Sequence, residues 1–207
     1  MDTVELSPPL QQLAALILAS PHNLVSRSAR HELESRHIPE SIRLAMQLPR
    51  SERSLRLLDV GSGGGLPGLV IALERPDLEV ELLDAKQKKV EFLRQAASAL
   101  GLTVTVHHGR AEELVRTDLG ASFDLVTARA VAPLDRLVPW TVPFLRPGGL
   151  LFAVKGERWE QELLEAQQAL EAGGATVVET PRTAQSSSGE GPRVILIARS
   201  VPRENTR

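Results

Sequence analysis

The stretch LRLLDVGSGGGLPG, residues 55–68, decides how this chain is read. Leu55 to Val60 is an apolar run of strand length with one acid, Asp59, inside it. Glycines begin directly after Val60, and helical spacing follows, so the order predicted is strand, tight loop, helix. Moving outward, VELLD (80–84), VTVHH (104–108), FDLVTA (123–128) and GLLFAVK (149–155) are further runs of strand length. Segments of helical periodicity separate them. The clearest is 86–100, where Val90, Leu93, Ala97 and Leu100 share a face and Gly101 closes the helix. Such alternation predicts a parallel sheet covered by helices on both faces.

The end of the chain breaks the alternation. After a helix over about 157–171, ATVVET (175–180) and RVILIAR (193–199) follow with no helix between them, so they pair as a hairpin. The expected fold is a doubly wound, seven-stranded α/β sheet, mostly parallel, ending in an antiparallel edge strand. Upstream of residue 51 no strand is expected. There Leu10, Leu13, Ala14 and Ile17 fall at helical spacing until Ser20-Pro21, and Pro39 opens a second helix to about Leu48. The organisation expected is a helical extension over 1–50, an α/β domain over 51–202 and a flexible tail over 203–207. AQSSSGEG (184–191) reads as a flexible loop.

With 207 residues, 42% hydrophobic and 24% charged, the chain has the make-up of one soluble globular domain. The absence of cysteine excludes disulfides, a thiol nucleophile and thiolate metal sites, and fits a reducing cytoplasm. Neither a signal peptide nor a membrane span is expected. A net charge of −2 gives no global nucleic-acid signature, so an RNA partner would need a local patch.

Two cofactor classes use glycine loops of this kind. A dinucleotide needs backbone N–H groups around its pyrophosphate, whereas S-adenosylmethionine has no phosphate. Gly63-x-Gly65-x-x-Gly68 matches the dinucleotide fingerprint, with Asp84 downstream as a ribose acid, but it starts two residues after the strand ends. The register Asp59-x-Gly61-x-Gly63-x-Gly65 starts where the strand ends. It resembles the loop of class I S-adenosylmethionine-dependent methyltransferases, whose fold is Rossmann-like. That resemblance implies glycines that let the backbone approach the cofactor, Asp84 accepting from the ribose hydroxyls, and Glu112 of GRAEEL near the adenine. It also implies a fifth strand entered through a PGG turn, here Pro147-Gly148-Gly149, and a terminal antiparallel hairpin.

Further pieces occur in order: Asn23-Leu24, RHIPES (36–41), DVGSGGGLPGL (59–69), LLDAKQKKVEFL (82–93), GRAEEL (109–114), TARAVAPL (127–134) and VKG (154–156). Together they resemble the bacterial glucose-inhibited division protein B family, whose members methylate N7 of one guanosine in the decoding-region loop of 16S rRNA. In the pattern of that family Glu40 stands where Asp is usual. The resemblance implies S-adenosylmethionine as cofactor and 16S rRNA or the 30S subunit as partner, for a cytoplasmic monomer. Carried over by position, the cofactor site comprises Gly61, Gly63, Leu66, Asp84, Ala85, Lys86, Ala111, Glu112 and Arg129. Arg129 and Lys155 are the candidates for positioning the guanine, and Arg36, His37 and Ser41 for meeting the RNA.

The residues add one independent argument. Methylation of amino groups commonly uses an Asn/Asp-Pro-Pro-Tyr/Phe stretch after the fourth strand, but Thr127-Ala128-Arg129-Ala130 offers a cation and no such acceptor cluster. Nor is there a cysteine for attack on a pyrimidine ring. Guanine N7 needs neither. Arg27, Arg30, Arg36, Arg43, Arg50, Arg53 and Arg56 crowd the N-terminal part among Glu32, Glu34, Glu40 and Glu52, a mix that reads as a salt-bridged surface and, in an RNA enzyme, as a phosphate-contacting face. His107 and His108, with no carboxylate or cysteine at metal-ligand spacing, read as structural, and no metal site is expected. Trp140 and Trp159 read as packing residues. The rival readings are a methyltransferase for a small molecule or protein and a ribosome-assembly factor that binds without turnover.

Overall fold

The computed structural model describes residues 5–180 and 193–201, so the expected loop at 184–191 and tail at 203–207 lie outside the described residues. The seven strands follow the order β3-β2-β1-β4-β5-β7-β6. They fall in two compact units, Met1–Arg110 and Ala111–Arg207.

In the first unit, α1 (Pro8–Ala19), α2 (Arg27–His31), a π-helical turn (Leu33–His37) and α3 (Ile38–Gln47) precede β1 (Leu55–Val60). Pro8 sits in the first turn of α1, and Ser20, held extended before Pro21, ends it. The buried stripe of α1 is Leu10, Leu13, Ala14 and Ile17, as its spacing predicts. Sequence spacing does not reveal α2 or the π-helical turn, because both are too short to show a period. Then come α4 (Gly68–Glu74), β2 (Leu78–Asp84), α5 (Gln87–Ala99) and β3 (Thr105–His108), with β1 pairing β2 and β2 pairing β3 in parallel. Gly101, at φ +67°, ends α5 in a Schellman motif: Gly101 N–H donates to Ser98 O and Leu102 N–H to Ala97 O. Leu57, Leu58, Leu69, Ile71, Leu82, Val90 and Leu93 are buried in this unit.

One side chain seats the helical layer. Arg75, 3% exposed, donates to Ala45 O and Leu48 O at the end of α3 and to Pro49 O, and forms a bidentate pair with Asp77. The last carbonyls of a helix lack intrahelical partners, and here a guanidinium supplies them.

The second unit holds α6 (Ala111–Leu114), β4 (Phe123–Arg129), α7 (Leu134–Thr141), a 3₁₀ turn (Val142–Phe144), β5 (Leu145–Lys155), α8 (Trp159–Glu165), α9 (Gln167–Ala172), β6 (Ala175–Glu179) and β7 (Arg193–Arg199). The helix expected over 157–171 is two, divided at Ala166. The PGG segment lies inside β5 as a bulge: Phe123 pairs with Leu145 but Leu125 with Leu150. A Cβ on Gly149 would stand 2.9 Å from Asp124 O, so glycine is required at this crossing. β7 is antiparallel to both β5 and β6 and lies between them, which puts β6, not the last strand, at the edge. Phe123 and Phe144 meet edge to face at 6.3 Å in the core. Among the described residues no helix is long and apolar enough to cross a membrane.

Candidate active site

The glycine loop follows β1 directly. Gly61, Gly63 and Gly65 have φ of +73°, +58° and +87°, where a side chain is costly, whereas Gly68 is the first residue of α4. Left-handed residues therefore alternate in the register that begins at Asp59. Gly68 is needed for another reason: a Cβ there would stand 2.4 Å from Leu82 Cδ2 and 2.6 Å from Asp59 Oδ2.

The amides of Gly61, Ser62, Gly63, Gly65 and Gly68 are already engaged. Gly61 and Ser62 both donate to Leu83 O, at 2.8 and 3.0 Å, and Gly65 donates to Ser62 O at 2.7 Å. Gly63 donates to Asp84 Oδ2 at 3.0 Å. Asp59, fully buried, takes the Gly68 amide on Oδ2 at 3.1 Å and so caps the start of α4 with a carboxyl group. A loop built to hold pyrophosphate needs such amides free and the helix start open to an anion.

Asp84 ends β2 and is 5% exposed. Its Oδ1 accepts from Lys86 N–H at 2.9 Å, and Lys89 Nζ lies 3.8 Å from Oδ2. Each carboxylate oxygen can accept two hydrogen bonds, so Asp84 keeps acceptor capacity beyond these bonds. Ala85 and Lys86 are exposed, and Leu66, 5% exposed, precedes Pro67 through a cis peptide. Sequence reasoning missed the neighbour that covers this loop. A Cβ on Gly64 would come 3.3 Å from Leu24 Cβ and 3.4 Å from Val25 Cγ1, so the Leu24–Val25 segment rests where the loop carries no side chains.

The three residues expected to meet RNA cluster around Glu40. Arg36 pairs with Glu32 at 3.0 Å and with Glu40 at 2.9 Å, and His37 Nδ1 lies 3.4 Å from Glu40 Oε2. Ser41 is 2% exposed and its hydroxyl donates to His37 O, so it is engaged within the helix. Burial pushes the Glu40 carboxyl up, but hydrogen bonds from His37 and Arg36 outweigh it and hold the group at about 2. A carboxyl depressed from about 4.5 when unfolded adds stability above that value, lost as pH falls toward 2. Glu40→Gln is therefore expected to remove on the order of 2 kcal/mol at pH 7 and to flatten the fall in unfolding free energy between pH 5 and 2. Parallel urea curves for the two proteins across that range would contradict it.

His107 has a carboxylate partner after all, supplied by the neighbouring strand. Its Nε2 lies 2.6 Å from Glu81 Oε2, and Arg56 Nη2 lies 2.6 Å from Glu81 Oε1, a bridged row across three strands. Burial raises the Glu81 carboxyl, and the bonds from His107 and Arg56 bring it below its ordinary value. Among the described residues no group of three metal-capable side chains occurs. Trp159 is buried, and Trp140 is half-buried with the Arg136 guanidinium 6.0 Å from its ring centre.

In the second unit, Ala111, 7% exposed, and half-buried Glu112 open α6. Arg129 and Lys155 stand at the C-terminal ends of the adjacent strands β4 and β5. Lys155, with 6% of its side chain exposed, is bonded inside the fold, to Glu162 Oε2 at 2.6 Å and to Ala132 O at 2.7 Å. Gly61 and Asp84 in the first unit, and Arg129 and Lys155 in the second, thus stand at the C-terminal ends of strands, where open α/β sheets bind ligands.

A family model described as GidB, rRNA small subunit methyltransferase G, matches residues 9–189. The chain belongs to this family. A ribosomal RNA small subunit methyltransferase G of Sorangium cellulosum is 47% identical over 178 residues, 83% of this chain and 74% of that protein. Its namesake in Mycolicibacterium smegmatis is 46% identical over 68% of this chain, and the aligned part spans 58% of that protein. Another in Mycobacterium sp. strain KMS is 37% identical over 94% of this chain and 86% of its own length. Among solved structures, a predicted O-methyltransferase of Agrobacterium tumefaciens matches at TM-score 0.58, with 21% identity over 79% of this chain and 82% of its own. The cofactor-bound protein Rv0187 from MTB matches at TM-score 0.60, with 20% identity over 97% of this chain and 94% of its own. These two show the fold. Membership in the rRNA small subunit methyltransferase G family makes the protein a methyltransferase of the class I fold, as the loop register and terminal hairpin imply.

Proposed function

We propose that the protein transfers a methyl group from S-adenosylmethionine to N7 of a guanosine in the decoding-region loop of 16S rRNA. The engaged loop amides carry the cofactor half of this reading. With Gly61, Ser62, Gly63, Gly65 and Gly68 all donating within the protein, and the Asp59 carboxyl capping α4, these amides and the helix start are not offered to a pyrophosphate. A phosphate-free adenosine ligand fits instead. The backbone at Gly61 and Gly63 would face its methionine and ribose parts, Asp84 would accept from the ribose hydroxyls, and Glu112 would lie near the adenine. When bound, the cofactor supplies an electrophilic methyl group on sulfur.

The names of the relatives support small-subunit rRNA as substrate. Guanine N7 carries an exposed lone pair and no proton, so the new C–N bond forms while the S–C bond breaks with its electrons left on sulfur. No base has to remove a proton. The protein's task is orientation and desolvation, which suffice for large accelerations. Arg129, at the end of β4, suits guanine O6 or a neighbouring phosphate, leaving N7 open to attack. The reading takes the protein as a cytoplasmic monomer acting on 16S rRNA or the 30S subunit.

The test is incubation with methyl-labelled S-adenosylmethionine and, separately, naked 16S rRNA, 30S subunits and free nucleotides. Label is expected in 16S rRNA, released at one site by the borohydride–aniline cleavage specific for 7-methylguanosine. Label in no RNA would overturn the substrate assignment. A thermal shift with NADH and none with S-adenosylhomocysteine would overturn the cofactor assignment.

A further inference from the structure

The segment after β4 has a conformation that needs external support. Ala130 adopts φ +55°, a region costly for a residue with a Cβ, and Pro133, at the N-cap of α7, has no side-chain acceptor for the helix start. Two side chains from outside the segment supply what it lacks. Lys155 Nζ donates to Ala132 O at 2.7 Å, and Glu162 Oε2 accepts from Leu134 N–H, the first helical residue of α7, at 3.1 Å. The two groups bond to each other at 2.6 Å, with 6% and 19% of their side chains exposed. One carboxylate therefore compensates a buried ammonium and caps a helix that cannot cap itself.

We infer that Lys155 and Glu162 are positioning residues, a two-point clamp that holds residues 130–134 in the shape required for the RNA base to be oriented for methyl transfer. Strained backbone persists where its surroundings over-determine it, and these two bonds fix Ala132 and Leu134, two and four residues after Ala130. The clamp lies at the C-terminal ends of β4 and β5, beside Arg129 in sequence and in strand register. Its ammonium and carboxylate are spent on the protein and on each other, so neither is required to touch substrate. This inference rests on the methyltransferase reading above.

The test compares Lys155→Met, Glu162→Gln, the double variant and Lys155→Arg in methyl transfer to 30S subunits. Calorimetric binding of S-adenosylhomocysteine and melting temperature are measured on the same preparations. Each single variant is expected to lose at least tenfold in kcat with the KM for S-adenosylmethionine changed less than twofold. The double variant should lose no more than the worse single one, because both remove the same device. Lys155→Arg should recover part of kcat, and the Leu134 amide should lose protection from hydrogen exchange in Glu162→Gln. Folded single variants with wild-type kcat would overturn the clamp, as would losses confined to Lys155→Met with Glu162→Gln fully active, since that pattern means direct contact by the lysine. Where the wild-type protein itself labels no RNA, it is the underlying function that fails, while the hydrogen-exchange result still judges the clamp.

Discussion

Asp84→Ala is expected to weaken S-adenosylhomocysteine binding by about 100-fold, equivalent to about 2.7 kcal/mol. The loss has two sources. In the proposed reading the carboxylate accepts from a ribose diol, and hydrogen bonds to a charged group contribute about 1.5–3 kcal/mol. The same carboxylate also receives the amides of Gly63 and Lys86, at 3.0 and 2.9 Å, so its removal leaves Gly63 free to leave the conformation that shapes the loop. Asp84→Asn should be milder, because one amide oxygen can keep the Gly63 bond while the NH2 group opposes Lys86. Titration calorimetry of the two variants against the parent protein checks both the size and the order of the effects. An Asp84→Ala protein that binds within threefold of the parent would mean that the diol is held elsewhere.

Arg75→Met is expected to cost about 3 kcal/mol of folding free energy. The substitution keeps most of the apolar stem and removes every donor, leaving Leu48 O and Pro49 O without the guanidinium and Ala45 O with only the long 3.4 Å bond from Leu48 N–H. An unsatisfied buried acceptor costs about 1–3 kcal/mol. Asp77, with 42% of its side chain exposed, is rehydrated easily, so the pair itself adds little. For a chain of this size the melting temperature should fall by roughly 6–12 °C. Arg75→Lys should rescue little, since one ammonium cannot reproduce a planar fork that serves three carbonyls and a carboxylate. A fall of less than 2 °C in calorimetry would show that water replaces the guanidinium at no cost.

These two residues also mark where the sequence was legible. The place of Asp84 at the end of β2 could be read because strand end, acid and helix start are contiguous. The loop register was readable for the same reason, since only Asp59-x-Gly61-x-Gly63-x-Gly65 begins where the strand stops. Arg75 offered no such signal. Its acceptors are backbone carbonyls 26 to 30 residues earlier, and a carbonyl has no letter in the sequence. Glu81 with His107, and Glu162 with Leu134 N–H, were hidden likewise, because strand register and helix placement create those pairs. Ser41 and Lys155 show the converse limit: their identities stood out, while their hydrogen-bond partners could be known only from the folded chain.

The Arg75 bridge has a consequence for the order in which the chain can be completed. Synthesis runs from the N-terminus at about 5–20 residues per second, so α3 emerges roughly 1–6 s before the guanidinium that receives its last carbonyls. During that interval the helix ends in water and its apolar face lacks α4, the helix it packs on in the folded protein. The helices α1 to α3 are thus docked late, when β1 and α4 have formed. A nascent chain whose residue 75 is still inside the exit tunnel should present those helices to proteases and chaperones, and one long enough for β2 to have left the tunnel should not.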